Sequence, residues 1–414
     1  MVSLTKCFAL AALAVTAPLL AAPAARPAQA RTITVTAGNQ DVRETPVSGA
    51  LPADAAGIPL LTDAQTKQTV PCQLTKADGH AVLWWIERDL KRGAARTYRL
   101  SFAGDRSAAT QSAVAVTKGD TSVEVTVGGQ LLTRYVFADT PKPYCYPLIG
   151  PTGKPLTRSY PMEKVAGEST DHMHHRSAFW FTHDDVNGQR FWTEGGKQAR
   201  EVHREFEALE SGPVFGRIRA RNDWIGSDDK KVCEDVRELR VYNTTNGELV
   251  DFTLTLRATE GDVSFGDTKE GTFGFRMAQT MNVGGGGQGH IENANGDKDG
   301  AAWGKRAEWC DYYGPVAGDT VGIAVMDAPT NFRHPTHWHV RTYGLFAANP
   351  FGLRAFSKAE AGPGGYTLKA GESLTLRYRV WLHSGTTAEA NVAQAFAEYA
   401  TPPKVELRDT PPRG

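Results

Sequence analysis

Residues 169–192, "STDHMHHRSAFWFTHDDVNGQRFW", concentrate side chains that can move protons or bind metals. The segment contains four histidines and three aspartates among aromatic residues and arginines. In an extended strand, His172 and His174 would project from one face and His175 from the other. A second pair, His337 and His339, flanks Trp338 in the same relation.

Two same-face histidine pairs could meet in space and do either of two kinds of chemistry. Neutral imidazoles that converge can ligate zinc or a transition metal. They can also shuttle protons, because histidine titrates close to neutral pH. Separate, hydrogen-bonded strand histidines are the structural alternative. Six of the eleven histidines fall in these two segments, which favours a functional site.

A third segment, "FGDTKEGTFGFRMA", adds a lysine between two acids. In a strand Asp267 and Lys269 would share a face and Glu270 would take the other. Apolar neighbours would bury these groups and force them to form ion pairs. Burial and pairing would then shift their pKa values into a range that suits acid–base catalysis. A solvated ion-pair face explains the pattern equally well, and both interpretations remain open here.

The elements that must position these side chains are predominantly β-strands. Alternation of apolar and polar residues recurs in short segments between turns, as in "TSVEVTVGGQLL", "LVDFTLTLRA" and "SLTLRYRVWLHSG". This period of two predicts an antiparallel β-sandwich. The segment "TTAEANVAQAFAEYA" predicts one C-terminal helix, since Thr386 and Glu389 form a capping box and two prolines follow.

The predicted organisation has four parts. Residues 1–30 are apolar with an early lysine and end in "AQA", which predicts a signal peptide cleaved near Ala30 and a periplasmic or secreted protein. Residues 31–113 are expected to form a small N-terminal β domain, because the segment of small and polar residues at the end of this range indicates a domain boundary. Residues 114–405 would form the large sandwich domain with the site, and 406–414 a loose tail.

Composition excludes several partners. The 46 basic and 46 acidic residues cancel, so no net field attracts nucleic acid or anionic lipid, and no apolar segment after the leader is long enough to span a membrane. There is no G-x-S-x-G or HExxH motif. Beyond the leader the cysteines are Cys72, Cys145, Cys233 and Cys310. Export permits one disulfide, but the spacing does not define its connectivity. The oligomeric state stays open.

Four motifs resemble those of the PmoA-like family, often labelled "methane oxygenase". They are "YCYPLIGPTGKPLTRSYPM", "DHMHHRSAFWFTHDDVNG", "DTKEGTFGFRMA" and "THWHVRTYGLFAANPFG". The resemblance covers most of the chain after the leader. It implies a fold similar to the galactose-mutarotase-like β-supersandwich, and proteins of that fold commonly act on sugars. Fold alone does not determine function.

The leading hypothesis is therefore an exported carbohydrate-active enzyme that cleaves a glycan, by hydrolysis or elimination, or epimerises it. The expected acid–base residues are His172, His174, Glu270, His337 and His339. The expected substrate-binding residues are Arg176, His183, Asp184, Asn187, Lys269 and Arg341. No cofactor is predicted.

Two alternatives remain at this stage. One is a metal-dependent oxygenase or oxidoreductase, as the family label implies, with His172, His174, His337 and His339 as ligands. The other is a non-catalytic glycan-binding protein whose histidines only form hydrogen bonds.

Overall fold

A computed structural model describes residues 31–409 of the chain, apart from 54, 78, 104–111, 358–361 and 363. The predicted signal peptide lies outside the described residues. The first strands are β1 (Arg31–Thr36), β2 (Val42–Leu51), β3 (Ile58–Asp63), β4 (Thr69–Val70), β5 (Cys72–Ala77), β6 (His80–Leu90) and β7 (Ala95–Ala103).

The remaining strands build the larger part and then return to the first. They are β8 (Val114–Lys118), β9 (Ser122–Val127), β10 (Gln130–Val136), β11 (Tyr144–Leu148), β12 (Trp180–His183), β13 (Arg200–Glu210), β14 (Phe215–Ile225), β15 (Lys231–Tyr242), β16 (Glu248–Arg257), β17 (Val263–Phe265), β18 (Gly271–Arg276), β19 (His290–Asn293), β20 (Trp309–Val316), β21 (Asp319–Asp327), β22 (His337–Val340), β23 (Leu345–Asn349), β24 (Tyr366–Leu368), β25 (Ser373–Ser384) and β26 (Lys404–Asp409). The α-helices are α1 (Leu353–Phe356), α2 (Thr387–Ala390) and α3 (Val392–Ala400).

The N-terminal strands form a small two-sheet unit with its own core. One sheet has the order β26-β1-β7-β3-β4 and the other β2-β6-β5. Strand β26 pairs antiparallel with β1, and Val405 and Leu407 pack against this core. The expected loose tail is therefore wrong for residues 406–409, because the end of the chain completes the first sheet. Residues 410–414 lie outside the described part.

The larger unit is a sandwich of antiparallel sheets. Its eight-stranded sheet has the order β13-β14-β15-β16-β25-β21-β20-β19, and two four-stranded sheets have the orders β11-β10-β9-β8 and β12-β18-β23-β22. The core between them includes Phe252, Leu254 and Leu256 of β16 and Phe273 and Phe275 of β18. The predicted mainly β, antiparallel architecture is confirmed.

The C-terminal helical segment differs from the expected single helix. The Thr386–Glu389 capping box is present, but Asn391 adopts a left-handed conformation with φ of 58° and ends α2. The Asn391 side chain then accepts a hydrogen bond from the Gln394 N–H and caps α3. Asparagine tolerates this backbone conformation and is a favourable N-cap, which explains the break.

The four cysteines are not paired with one another. Cys72, Cys145, Cys233 and Cys310 are all buried and free, so the disulfide considered from the sequence is not present among them. Within the described ranges, no helix has the length and apolar character needed to cross a lipid bilayer.

Candidate functional site

The site is built on the face of sheet β12-β18-β23-β22 that points away from the sandwich core. Trp180 of β12 lies opposite Gly274 of β18, and any side chain at Gly274 would collide with the Trp180 ring. Trp192 meets Trp180 edge-on at a centroid distance of 4.7 Å. Glycine here lets the indole lie flat on the sheet, so the two tryptophans form an apolar floor.

The histidine segment crosses this floor as a turn and not as the expected strand. His172 has a positive φ of 45°, and the His175 N–H donates to the His172 carbonyl. All three rings therefore contact each other, with centroids 5.8 Å apart for His172 and His174, 4.9 Å for His172 and His175, and 4.5 Å for His174 and His175. The predicted placement of His175 on the opposite face is wrong.

An ion-pair network holds this turn in place. The Asp171 carboxylate accepts from Arg158 Nη1 at 2.6 Å and from Arg276 Nη2 at 2.8 Å, and lies 3.0 Å from His172 Nδ1. Both arginine side chains are 1% exposed. Burial alone would raise the pKa of Asp171, but Arg276 and Arg158 outweigh it and hold that pKa well below its usual range.

Four rings continue from the turn as one stack. Tyr343 lies parallel to His172 at 5.3 Å, His172 to His175 at 4.9 Å, and His175 to Trp180 at 6.0 Å, with interplanar angles of 4–7°. Parallel aromatic rings at these separations attract each other and bury apolar faces. The stack fixes the rings so that His174, which crosses His175 at 77°, stands beside it.

The opposite wall comes from β22 and from the loop before β18. His339 lies against Trp192, with a centroid distance of 6.3 Å and an interplanar angle of 26°. Arg341 follows β22, and Lys269 forms an ion pair with Glu270 in the loop. The two walls enclose a cavity of about 500 Å³. Its lining comprises His172, His174, His175, Arg190, Trp192, Thr193, Lys269, Glu270, His339, Arg341 and Tyr343.

The structure brings together six of the residues expected from the sequence, from three distant segments. They are His172, His174, Lys269, Glu270, His339 and Arg341. The loop carrying Lys269 and Glu270 is irregular, so these two side chains do not alternate across a strand as expected.

His337 and His183 do not line the cavity. His337 Nδ1 lies 2.8 Å from the Gly304 carbonyl oxygen, and its ring stacks on Phe356. His183 is fully buried, with Nε2 2.8 Å from the Gly266 carbonyl oxygen. Both histidines are packed into the structure, and the expected catalytic and binding roles are not supported by their positions.

Arg176, Asp184 and Asn187 also hold the structure around the cavity and do not line it. The Arg176 guanidinium binds Glu194 and lies over the Tyr144 ring. Asp184 accepts from Arg190 at 3.1 Å and so positions a residue that does line the cavity. Asn187 bridges its own turn to Ser264 and Asp262 by hydrogen bonds.

The sequence reasoning missed several lining residues, above all Trp192 and Tyr343. Both lie inside quoted motifs, Trp192 at the end of the first segment and Tyr343 two residues after Arg341 in "THWHVRTYGLFAANPFG". Aromatic side chains beside candidate polar residues are the signal that the sequence offers. A strand at residues 172–175 places His175 on the wrong face.

Three of the four histidines that line the cavity are kept uncharged. Burial lowers the pKa of His174 to about 4, and the Lys142 ammonium and His172 add to the effect. Burial also lowers the pKa of His339 to about 3, helped by Arg341 and Lys269. The pKa of His175 lies well below its ordinary value for the same reason. Desolvation penalises the imidazolium form, so these rings are neutral bases at neutral pH.

The histidines are not arranged as metal ligands. No group of three or more His, Cys, Asp or Glu side chains in the described ranges is placed to hold a metal ion. His172 and His175 stack face to face, whereas ligands must aim their nitrogens at one point. The residues therefore do not fit the metal centre considered from the sequence, which would also have required His337.

A second cavity, of about 570 Å³, lies where α2 and α3 meet the N-terminal unit and the eight-stranded sheet. Both of its arginines form ion pairs, Arg43 with Glu398 of the same cavity and Arg379 with Asp251 beside it. It contains one histidine, His383, which is buried against Asp311. The cluster of neutral histidines therefore distinguishes the first cavity as the candidate active site.

Solved structures similar to this chain are distant. A protein in the glycosyl hydrolase family 38 from Enterococcus faecalis has 11% identity and a TM-score of 0.42, covering 92% of this chain and 48% of the other. An alpha-mannosidase from Enterococcus faecalis V583 has 10% identity and a TM-score of 0.41, covering 92% and 46%. A galactose mutarotase-like protein from Lactobacillus casei has 12% identity and a TM-score of 0.27, covering 65% and 100%.

The chain thus spans about half the length of the first two structures. No curated protein matches the sequence. The PmoA-like resemblance remains an interpretation of the motifs. The model of a family of unknown function, DUF6807, matches residues 122–397, and the chain belongs to that family.

Proposed function

We propose that this protein is an exported carbohydrate-active enzyme in which His174 acts as the general base. The observation that carries the proposal is the placement of His174, a neutral imidazole, in a cavity walled by aromatic, cationic and carboxylate side chains. Export rests on the predicted signal peptide.

The chemistry of the cavity supports a sugar ligand. Trp192 and Tyr343 give the cavity an aromatic wall, while Arg190, Lys269 and Glu270 offer groups that bind hydroxyls.

His174 is better placed for proton transfer than His339. Its side chain is partly exposed to the cavity, and none of its contacts within the described ranges is a hydrogen bond. His339 is 2% exposed and its Nδ1 is buried, so we assign it to the wall that orients the ligand. A base must reach the proton it removes, which favours His174.

The cavity favours elimination or epimerisation over hydrolysis. Glycoside hydrolases commonly use two carboxyl groups that flank the scissile bond. Of the described residues that line this cavity, Glu270 alone carries a carboxylate. In an elimination His174 takes a proton from carbon, the C–O bond at the next carbon breaks, and the departing oxygen takes a proton from solvent. In an epimerisation the proton returns to the opposite face of the same carbon.

The test is turnover by protein starting at Arg31, offered a panel of plant, algal and bacterial oligosaccharides. Replacing His174 by Asn should lower turnover by roughly a hundred- to ten-thousand-fold, the usual effect of removing a general base. His290→Asn, which changes an exposed histidine outside the cavity, is the control and should keep full activity.

Three results would contradict the proposal. One is full activity in His174→Asn with an unchanged melting temperature. Another is tight glycan binding with no turnover of any panel member, which would indicate a non-catalytic binding protein. The third is turnover that requires added copper or iron and oxygen, which would restore the oxygenase interpretation.

A further inference from the structure

Arg341 differs from the other arginines around the cavity. Arg158 and Arg276 bind Asp171, Arg176 binds Glu194, and Arg190 binds Asp184. The Arg341 side chain, in contrast, lies within ion-pair distance of no carboxylate among the described residues. It lines the cavity and is only partly exposed.

Two aromatic rings hold the Arg341 guanidinium. It lies 5.5 Å from the centroid of the Trp303 ring and 5.7 Å from that of Tyr343. Contacts with aromatic faces stabilise the cation without using its N–H donors. The planar group is therefore restrained while its donors stay available. A guanidinium restrained in this way is suited to bind an anionic group through two parallel hydrogen bonds to two of its oxygens.

The surroundings of Arg341 reinforce its positive charge. Arg276 lies 4.7 Å from the centroid of the same Tyr343 ring on which Arg341 packs. Arg276 and Arg158 share the carboxylate of Asp171, and Glu168 adds a second negative charge near Arg158, so the three arginines still outnumber these carboxylates. Lys269, in the opposite loop, is paired with Glu270 and adds no net charge. This end of the cavity is therefore positive.

A partly desolvated cation without a counter-charge is unfavourable for folding, so its place in a cavity has to be explained by what the cavity binds. We infer that the glycan bound here is acidic and that Arg341 holds its acid group. The inference rests on the proposed function, whose substrate class it names. The group is a uronate carboxylate or a sulfate ester, both of which present paired anionic oxygens to a guanidinium.

The experiment measures binding of matched oligosaccharides to the wild-type protein starting at Arg31. The probes are oligogalacturonates and glucuronate-containing oligosaccharides, the methyl esters of both, sulfated galactans, and neutral galactans of equal length. We expect acidic members to bind at least tenfold more tightly than their neutral counterparts. Loss of affinity on methyl esterification identifies the carboxylate as the group bound, and preference for sulfated galactan identifies the sulfate.

Variants then assign the effect to one side chain. Arg341→Gln should weaken binding of the acidic probe roughly ten- to hundredfold, as expected for lost charge-assisted hydrogen bonds, and leave neutral probes unaffected. Arg354→Gln removes the same charge from an exposed position on α1, and should bind like the wild type. Circular dichroism and melting curves check that both variants are folded.

The inference is overturned if neutral and acidic probes bind equally, if no acidic probe binds, or if folded Arg341→Gln keeps the wild-type affinity. Its failure is distinguishable from failure of the proposed function. His174-dependent turnover of a neutral glycan would leave the enzyme proposal standing and remove the acidic substrate. Arg341-dependent binding of acidic probes without turnover would support the acidic ligand and remove the enzyme proposal.

Discussion

Asp171 is the side chain whose loss should most disturb the histidine turn. Asp171→Asn removes the negative charge shared by Arg158 and Arg276, whose side chains are 1% exposed. Breaking a buried ion pair by removing one partner costs about 3–5 kcal/mol. Here Asp171 itself is 41% exposed, and Arg158 keeps four backbone carbonyl acceptors, which reduces the cost. We expect a loss of about 2–4 kcal/mol in the free energy of unfolding.

Urea unfolding followed by tryptophan fluorescence measures this loss. The pKa of Asp171 is lower in the folded protein than in the unfolded chain, where it is about 3.9. The Asp171 charge therefore stabilises the folded protein fully above the unfolded-state pKa, and this stabilisation is lost as pH falls through the pKa of the folded state. The penalty should therefore be fully present near pH 7 and should shrink below about pH 4. Asp184→Asn is the control, since its partner Arg190 is 61% exposed, and should cost less than about 1 kcal/mol. A penalty for Asp171→Asn no larger than the control's would refute the reasoning.

The remaining predictions concern the cysteines and a buried histidine. Burial raises the pKa of Cys72 to about 11 and that of Cys145 to about 12, and all four cysteines are buried. In protein starting at Arg31, all four thiols should therefore resist a thiol reagent until urea unfolds the chain. Fast labelling of the native protein would contradict this expectation. Burial lowers the pKa of His383, but the Asp311 carboxylate outweighs burial and raises it above the ordinary value of 6.5. The His383–Asp311 pair therefore stabilises the folded protein fully below pH 6.5, and this stabilisation is lost as pH rises through the pKa of the folded state. His383→Gln should therefore cost about 2–3 kcal/mol near pH 6 and less near pH 9, and an opposite trend in melting curves would count against the pair.

The sequence could predict the strands but not the path of the histidine turn. The alternation that places Phe252, Leu254 and Leu256 on one face is local, and the structure buries all three. The conformation at His172 depends instead on Arg158 and Arg276, the latter more than a hundred residues away along the chain. The two-residue spacing of His172 and His174 therefore predicts a strand, although long-range ion pairs make the segment a turn.

The same limit explains which candidate residues reach the cavity. His337 and His339 do share a face of β22, as the period of two predicts, but Gly304 and Phe356 from other segments enclose His337. Lys269, Glu270 and Arg341 were found because charged residues beside glycines and aromatic residues stand out in a strand-rich sequence. The pairing of Arg176 with Glu194 was not visible, since nothing local distinguishes a structural arginine from a ligand-binding one.

The ionisation state of His174 in the unliganded protein tests the central claim most directly. Nitrogen NMR of histidine-labelled protein, with His174→Asn to assign the resonance, reports the fraction of imidazolium at each pH. The account predicts that His174 is still neutral at about pH 5.5 and becomes protonated only near pH 4, because burial and the Lys142 charge disfavour the cation. A midpoint at or above the ordinary value of 6.5 would contradict it, because His174 would then be solvated and not the desolvated, neutral imidazole of the cavity wall.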